Sequence, residues 1–412
     1  MTPYDDKLNL FTSMDTLRMT VESANDKRIP PSVVQWFTDP ERRIEVVAAM
    51  EMDAYRIAPP HIIQIPKPDS AEMRKVYCNE PLDRIICTQI GNVYQQMFGD
   101  RINPACVSYQ KGIGVGKIVK EISAYLMHRP GLRGAKFDIQ KYFDNISEET
   151  RDAALRELDT GSCIDKIVWD YLHDENVIDE NGNLVKTYKG IAQGFALSPF
   201  LANYLLRDID EEISRLDVLY YRYSDDILIL GPDFEKARDI LYDRLRPKGL
   251  MINPKKVTAI DAGTPFTFLG FKIHGESTTF SDDKIKRFKK KVKAITKTRK
   301  GQPLRSEDVL RKAIRAINKE FYVPFMSKDR DFSWASCMFS TVNVEEDIRV
   351  LDYYIKDHLR HVFTGKWNTT GNANKVPNEM LARCGYVSMM HLYKLYRIAR
   401  PLYQNEVRMK IA

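Results

Sequence analysis

The sequence predicts an α+β chain, on three observations. Tyr223-Ser224-Asp225-Asp226 lies between two apolar runs, Val218-Leu219-Tyr220-Tyr221 and Ile227-Leu228-Ile229-Leu230, the pattern of a strand, a tight turn and a second strand. Gly134-Ala135-Lys136-Phe137-Asp138-Ile139 reads as a further strand with a carboxylate near its C-terminal end. Longer helical segments surround these strands, and beyond residue 280 the chain reads as helical and Tyr-rich.

Taken in order, residues 1–58 read as helical and mixed in charge. Ile62-Ile63-Gln64-Ile65-Pro66-Lys67-Pro68 is a short strand running into a Pro-bounded loop, and a helix follows from Pro81-Leu82-Asp83-Arg84 to Met97-Phe98. Gly112-Ile113-Gly114-Val115-Gly116-Lys117 opens a helix over Ile118–Met127. After the Asp138 strand, Ile146–Leu158 is helical, with Ser147 as N-cap. Gly190 to Pro199 is a loop entering a helix over Phe200–Leu216. The hairpin 218–230, a helix over Phe234–Leu245 and a strand over Phe266–Ile273 complete this part. From Lys284 to Lys300 there are ten basic residues and no acidic one, while Ile285, Phe288, Val292 and Ile295 form one apolar stripe of a helix. The polar stretch Gly365–Asn378 reads as a loop or linker.

Composition sets bounds. The 412 residues are too many for one simple core and suit two to four subdomains. Lys plus Arg (63) exceeds Asp plus Glu (56), a formal charge of +7, so the distribution of charge matters more than its sum. Six scattered cysteines without a C-x-x-C pair argue against a disulfide framework or zinc module and fit a reducing cytoplasm. No signal peptide and no membrane span is expected. Gly112–Lys117 lacks P-loop spacing, and His358 and His361 lack the H-E-x-x-H pattern.

Two adjacent carboxylates repel each other, and neighbouring apolar strands make their ionisation costlier. A chain places them so when a divalent cation takes up the charge. Asp138-Ile139-Gln140-Lys141-Tyr142-Phe143-Asp144-Asn145-Ile146, the stretch Gly190-Ile191-Ala192-Gln193-Gly194-Phe195-Ala196-Leu197-Ser198-Pro199 with Phe200 to Asn203, the Tyr223–Asp226 turn and Phe268-Leu269-Gly270-Phe271 occur in that order. Together they resemble the palm of a reverse transcriptase. Upstream, Ile65-Pro66-Lys67 with Arg74, and Asp83-Arg84, resemble the fingers of bacterial members. The resemblance covers roughly residues 60–300.

It implies a right-hand polymerase fold: an N-terminal helical extension (1–58), fingers with part of the palm (59–134), a palm with an antiparallel sheet (135–280), a helical thumb (281–330) and a C-terminal helical region (331–412). The implied reaction is attack of a primer 3′-hydroxyl on the α-phosphate of a dNTP, aided by two Mg²⁺ ions, with Mn²⁺ as the alternative. Asp138 and Asp225 are the expected direct ligands, with the Ile139 carbonyl; Asp226 binds more loosely or acts from behind them. By resemblance Phe143 is the steric gate under the sugar, and Gln193 and Gly194 lie against the template–nucleotide pair. Lys67 and Arg74 can neutralise triphosphate charge, and Lys256 is the preferred proton donor to pyrophosphate. Lys286, Lys289, Lys290, Lys293 and Lys297 are expected to track a nucleic-acid backbone.

Within the group II intron and retron-like superfamily, Ala192-Gln193-Gly194 departs from Pro-Gln-Gly, and Val257-Thr258-Ala259 half resembles the retron Val-Thr-Gly element. No Cys- and His-bearing endonuclease segment occurs in these residues. By elimination the chain is most similar to stand-alone enzymes of phage defence, including abortive-infection types. The implied partners are an RNA template, a nucleic-acid primer and dNTPs. A dedicated non-coding RNA, a companion defence protein and a homo-oligomer stay open. So do template-free or protein-primed synthesis (Tyr353, Tyr354, Tyr386, Tyr393, Tyr396 and Tyr403 are conceivable primers) and a catalytically silent nucleic-acid scaffold.

Overall fold

The computed structural model describes residues 3–24, 28–66, 73–110, 112–127, 129, 132–261, 263–297, 304–323, 333–367 and 369–410. The chain divides into two compact units, residues 1–111 with 133–259 and residues 112–132 with 260–412. Among the described residues no helix is long and apolar enough to cross a membrane.

The first unit opens with four helices, Pro3–Thr12, Met14–Ala24, Pro31–Thr38 and Pro40–Glu51. Proline begins the last two, where its missing N–H costs nothing, and Asp39 caps the fourth by accepting from the Glu41 amide at 2.9 Å. The first three pack on the helix Pro81–Phe98. Ile85, Ile86, Ile90 and Val93 of that helix share a core with Phe11, Leu17 and Phe37. Each such side chain contributes ~1.5–3 kcal/mol on full burial. The buried Gln89 carboxamide is satisfied at both ends, accepting from Thr20 Oγ1 (2.5 Å) and donating to the Phe11 carbonyl (2.6 Å).

Two sheets follow. The smaller has the order Met73–Cys78, His61–Pro66, Asn176–Ile178, Leu184–Lys186. Its first pair is antiparallel, with Ile65 opposite Arg74. The larger has the order Leu219–Tyr223, Asp226–Leu230, Arg133–Asp138, Thr258–Asp261. Ile227–Leu230 is buried throughout because both faces of that strand are covered, which is why it reads as an unbroken apolar run. On one side Phe137 stacks on Phe234 (6.3 Å) and meets Tyr242 edge-on (6.2 Å), both on the helix Phe234–Leu245.

The expected helix Phe200–Leu216 is instead two, Ser198–Tyr204 and Arg207–Ser214. The first ends where its last carbonyls find other donors: Arg222 Nη2 donates to Asn203 O at 2.9 Å, and the Tyr142 hydroxyl donates to Ala202 O.

The second unit contains the helix Val115–Met127, a three-stranded sheet in the order Ser277–Phe280, Phe271–His274, Phe266–Phe268, and a helical array from Asp282 onward. Ser123 Oγ anchors the first helix by donating to Gly275 O (2.7 Å). The continuous strand expected over Phe266–Ile273 is a hairpin. Leu269 (φ 49°) and Gly270 (φ 77°) both take left-handed conformations and turn the chain back, so Phe268 pairs with Phe271. The basic helix spans Asp282–Ile295 rather than 284–300: Ser281 accepts from the Lys284 amide at its start, and Thr296 turns its Oγ1 back onto the Val292 carbonyl (2.7 Å) at its end. Its apolar stripe packs on later helices, with Phe288 against Phe321 (4.5 Å) and Trp334 (5.0 Å). The polar stretch 365–378 is not all loop, since Thr369–Lys375 is helical.

Candidate active site

Asp138 ends its strand directly opposite Asp226 in the antiparallel register. The next hydrogen bond falls one residue on, from the Ile139 amide to the Asp225 carbonyl at 2.9 Å. Asp138 and Asp226 are therefore a non-hydrogen-bonded pair, the kind in which side chains on one face come closest, with Cα atoms ~4.5 Å apart. Asp225 occupies the two-residue turn between the strands. Ser224, the first turn residue, has φ 60°, a conformation that lets so short a turn match the twist of its strands.

The three carboxylates interact electrostatically. Burial, then the charge of Asp226 and to a lesser extent that of Asp138, lifts the Asp225 carboxyl to about 6. Two lysines answer part of the charge. Lys136, two residues before Asp138 on the same strand face, places Nζ 3.2 Å from Asp226 Oδ1. Lys256 Nζ donates to Asp138 Oδ2 at 2.7 Å. Burial lowers the Lys256 pKa, but that hydrogen bond and the charges of Asp138, Asp225 and Asp226 outweigh it, so the pKa ends above its ordinary value. Lys256 arrives there because residues 251–253 dock along the strand end: the Asn253 amide donates to Asp138 O (2.8 Å) and the Gln140 amide to Met251 O (2.9 Å).

This donor set fits hard divalent cations. It offers carboxylate oxygens from Asp138, Asp225 and Asp226, with the Ile139 peptide pinned beside them, and the raised Asp225 pKa reflects burial and then neighbouring negative charge, which a cation would offset. The three groups do not form one tight cluster. Among the described residues the His, Cys, Asp and Glu cluster within 4.8 Å is Glu148, Asp152 and His173. There the buried Arg151 already pairs with Asp152 (3.0 Å) and Glu148 (3.1 Å), which reads as a structural network.

A buried ion pair that sequence reading passed over holds the turn. Arg222 and Asp210 are both fully buried, with Arg222 Nε 2.7 Å from Asp210 Oδ1, and Tyr220 donates a second bond to the same oxygen (2.6 Å). The Arg222 guanidinium also reaches Asn203 O. Ser108 Oγ accepts from the Ser224 amide (3.0 Å) and donates to Asn203 Oδ1 (2.7 Å). One signal was present: Tyr220 and Arg222 alternate onto one strand face, and a charge on a buried face needs a partner.

The loop 190–197 lies against this core and the smaller sheet. A side chain at Gly190 (φ 56°) would sit 2.0 Å from Phe143 O, and one at Gly194 (φ 114°) 2.4 Å from Tyr77 O. The Gln193 carbonyl accepts from the Tyr77 amide at 2.7 Å. Phe143 is half-buried, its ring edge-on to Tyr142 (5.6 Å). Arg74 is exposed on its strand, near enough to Tyr109 to oppose the burial that raises that phenol's pKa. Tyr109 itself lies 6.4 Å from the ring of Tyr223. Lys67 lies outside the described residues. Asp83 turns inward to accept from the Tyr55 hydroxyl (2.7 Å) and the Ala58 amide (2.9 Å).

Of the five lysines expected to track a backbone, Lys286, Lys290, Lys293 and Lys297 are exposed. Lys286 is 3.6 Å from Asp283, and Lys289 lies 5.3 Å over the Tyr354 ring. All five belong to the second unit, whereas the carboxylates belong to the first.

Residues 65–273 match the family described as "Reverse transcriptase (RNA-dependent DNA polymerase)". Among curated proteins, the "Putative COX1/OXI3 intron 1 protein" of Saccharomyces cerevisiae is 23% identical over 324 residues, covering 64% of this chain and 37% of that protein. Among solved structures, telomerase from Candida albicans with a TWJ fragment of telomeric RNA gives a TM-score of 0.43 at 15% identity, covering 81% of this chain and 62% of that one. An insertion-loop deletion mutant of a human picobirnavirus RNA-dependent RNA polymerase gives 0.45 at 12% identity, covering 79% and 64%. The chain thus spans about a third of the curated relative it matches and under two thirds of these solved chains.

Proposed function

This chain belongs to the reverse transcriptase (RNA-dependent DNA polymerase) family, and from that premise we propose that it extends a nucleic-acid 3′-hydroxyl with dNTPs by copying RNA. The observation that carries the reading is the Asp138–Asp226 register with Asp225 in the adjoining turn and Lys256 on Asp138. Asp138, Asp225, Asp226 and the Ile139 carbonyl would hold two Mg²⁺ ions, or Mn²⁺. Such ions supply charge stabilisation to the attacking and leaving oxygens of an in-line displacement.

The remaining roles fall to this chain's own groups. The primer 3′-hydroxyl loses its proton to solvent as its oxygen bonds to the α-phosphorus, the bond from the α-phosphorus to the bridging oxygen breaks, and pyrophosphate departs with that oxygen's electron pair. Lys256, kept protonated by its carboxylate neighbours, donates a proton to that leaving group. Phe143 crowds a 2′-hydroxyl and so favours dNTPs. Gln193 and Gly194 flank the template–nucleotide pair, and Arg74 with Lys67 meets the triphosphate.

The test is labelled dNTPs with Mg²⁺ and a primed RNA, with and without template, beside Asp225→Asn. Product that requires both template and Asp225 is the expected result. Template-free product would instead favour template-independent or protein-primed synthesis. No product, with RNA still bound, would leave a silent scaffold. We further infer a role in phage defence, on the departure of Ala192-Gln193-Gly194 from the intron-type Pro-Gln-Gly pattern and of Val257-Thr258-Ala259 from the retron element. Phage plating on cells carrying the wild type or Asp225→Asn tests it: equal plating on both sinks the inference.

A further inference from the structure

The second unit carries an aromatic ledge that the proposed chemistry does not use. Tyr354, His358 and His361 fall at i, i+4 and i+7 on the helix Glu345–Thr364 and so share one face. Gly365, at φ 70°, ends that helix and turns the chain back. Trp367 then lies flat on His361, with ring centroids 3.9 Å apart and planes 10° apart, and meets His358 edge-on at 4.8 Å. His358 continues the row to Tyr354 at 4.5 Å.

The ledge is tied by hydrogen bonds and flanked by cations. Asn372 Nδ2 donates to Lys366 O at 2.6 Å, holding the loop, and Thr296 Oγ1 and His358 Nδ1 are hydrogen-bonded at 2.8 Å. Lys289 reaches over Tyr354, and Lys293 is close enough to act on His358. Lys366 immediately precedes the tryptophan. Yet Trp367 remains 63% exposed, with one ring face on His361 and an edge toward His358.

A flat aromatic surface held in place beside lysines matches one ligand chemistry above others, an unpaired nucleobase on a phosphodiester strand. The base supplies a π-face and the phosphates answer the ammonium groups. A base inside a duplex cannot use the ledge, because its neighbours already occupy both of its faces. We propose that Trp367, backed by His361, is a stacking site for an unpaired base of single-stranded nucleic acid, with Lys289, Lys293 and Lys366 facing its phosphates. This rests on the reading that the chain handles nucleic acid, and not on the carboxylate chemistry.

The experiment measures binding of short fluorescent oligo(U) and oligo(dT), and of an abasic oligomer with the same phosphate count. Proteins are the full chain in an Asp225→Asn background, with Trp367 intact, Trp367→Ala or Trp367→Phe. Extension by the wild-type enzyme is read separately, so failure of the polymerase reading and failure of this site are distinguishable. The expected result is that Trp367→Ala weakens binding of a base-bearing oligomer by about fivefold or more, while its thermal midpoint stays in place. Trp367→Phe recovers most of that loss, and the abasic oligomer does not distinguish the three. A preference between oligo(U) and oligo(dT) identifies RNA or DNA as the occupant. Equal binding of base-bearing oligomers with Trp367 intact and with Trp367→Ala overturns the site, as does an equal loss on the abasic strand. A change confined to self-association also overturns it, by making the ledge a protein contact.

Discussion

Asp225 is pulled between stability and chemistry. Its carboxyl is lifted to about 6 by burial and by Asp226, so the folded state holds its proton more tightly than the unfolded chain does. Its ionisation therefore costs stability that is absent below pH ~4 and grows as pH rises toward 6. In chelator, Asp225→Asn should stabilise the protein at pH 8 by about 1–3 kcal/mol, a gain that shrinks between pH 6 and 4, while abolishing extension. Urea melts across pH check this, and a variant no more stable than wild type at pH 8 refutes it. Lys256 gives a second expectation. Lys256→Ala should slow extension by about 10²-fold, and Lys256→Arg, which keeps a cation but is too weak an acid, should stay slow. Full recovery with arginine would reduce Lys256 to a counter-charge. At Phe143, the alanine variant should incorporate more ribonucleotide, and an unchanged ratio of dNTP to NTP use would remove the gate.

At the scale of elements, the hairpin is held from behind. Removing one member of the Arg222–Asp210 pair leaves a buried charge unmatched, so Arg222→Met should cost about 3–5 kcal/mol. Arg222→Met with Asp210→Leu should recover much of that stability without activity, because Asn203 O would still lack its donor. Restored activity in the double variant would show that the pair only stabilises. The loop at Gly194 is held by close approach. Alanine there would press on Tyr77 O from a left-handed backbone, so Gly194→Ala should raise KM for dNTP more than it lowers kcat. Steady-state kinetics on a fixed primer–template decide it.

For the whole molecule, charge sets the terms of nucleic-acid binding. The basic helix is not uniformly free: Lys291 pairs with Glu320, Lys286 lies near Asp283, and Lys284 Nζ sits 3.4 Å over the Phe271 ring. Burial, and secondarily Arg287, lowers the Lys284 pKa to about 8. The exposed Lys290 and Lys297 are better placed for phosphate. Replacing both with alanine should reduce the slope of log affinity against log salt by up to about 1.8 on duplex. An unchanged slope would move the backbone track off this helix.

Much of the site could be read locally. The apolar runs around Tyr223–Asp226 and before Asp138 specify strands wherever they are placed, because a strand buried on both faces needs continuous apolar residues. Leu269-Gly270 misled, since a motif-like Phe-Leu-Gly-Phe hides a two-residue turn that depends on both residues turning left-handed. The break near Leu205 was equally hidden, because Arg222, distant in sequence, takes one of the carbonyls there. The sequence alone determined which carboxylates exist and that each stands at or beside a strand end. Only the tertiary structure decided that Asp226 faces Asp138, that Lys136 and Lys256 answer them and that Arg222 holds the turn. Register and ion pairing are set by hydrogen bonds between distant segments, and no local propensity encodes those.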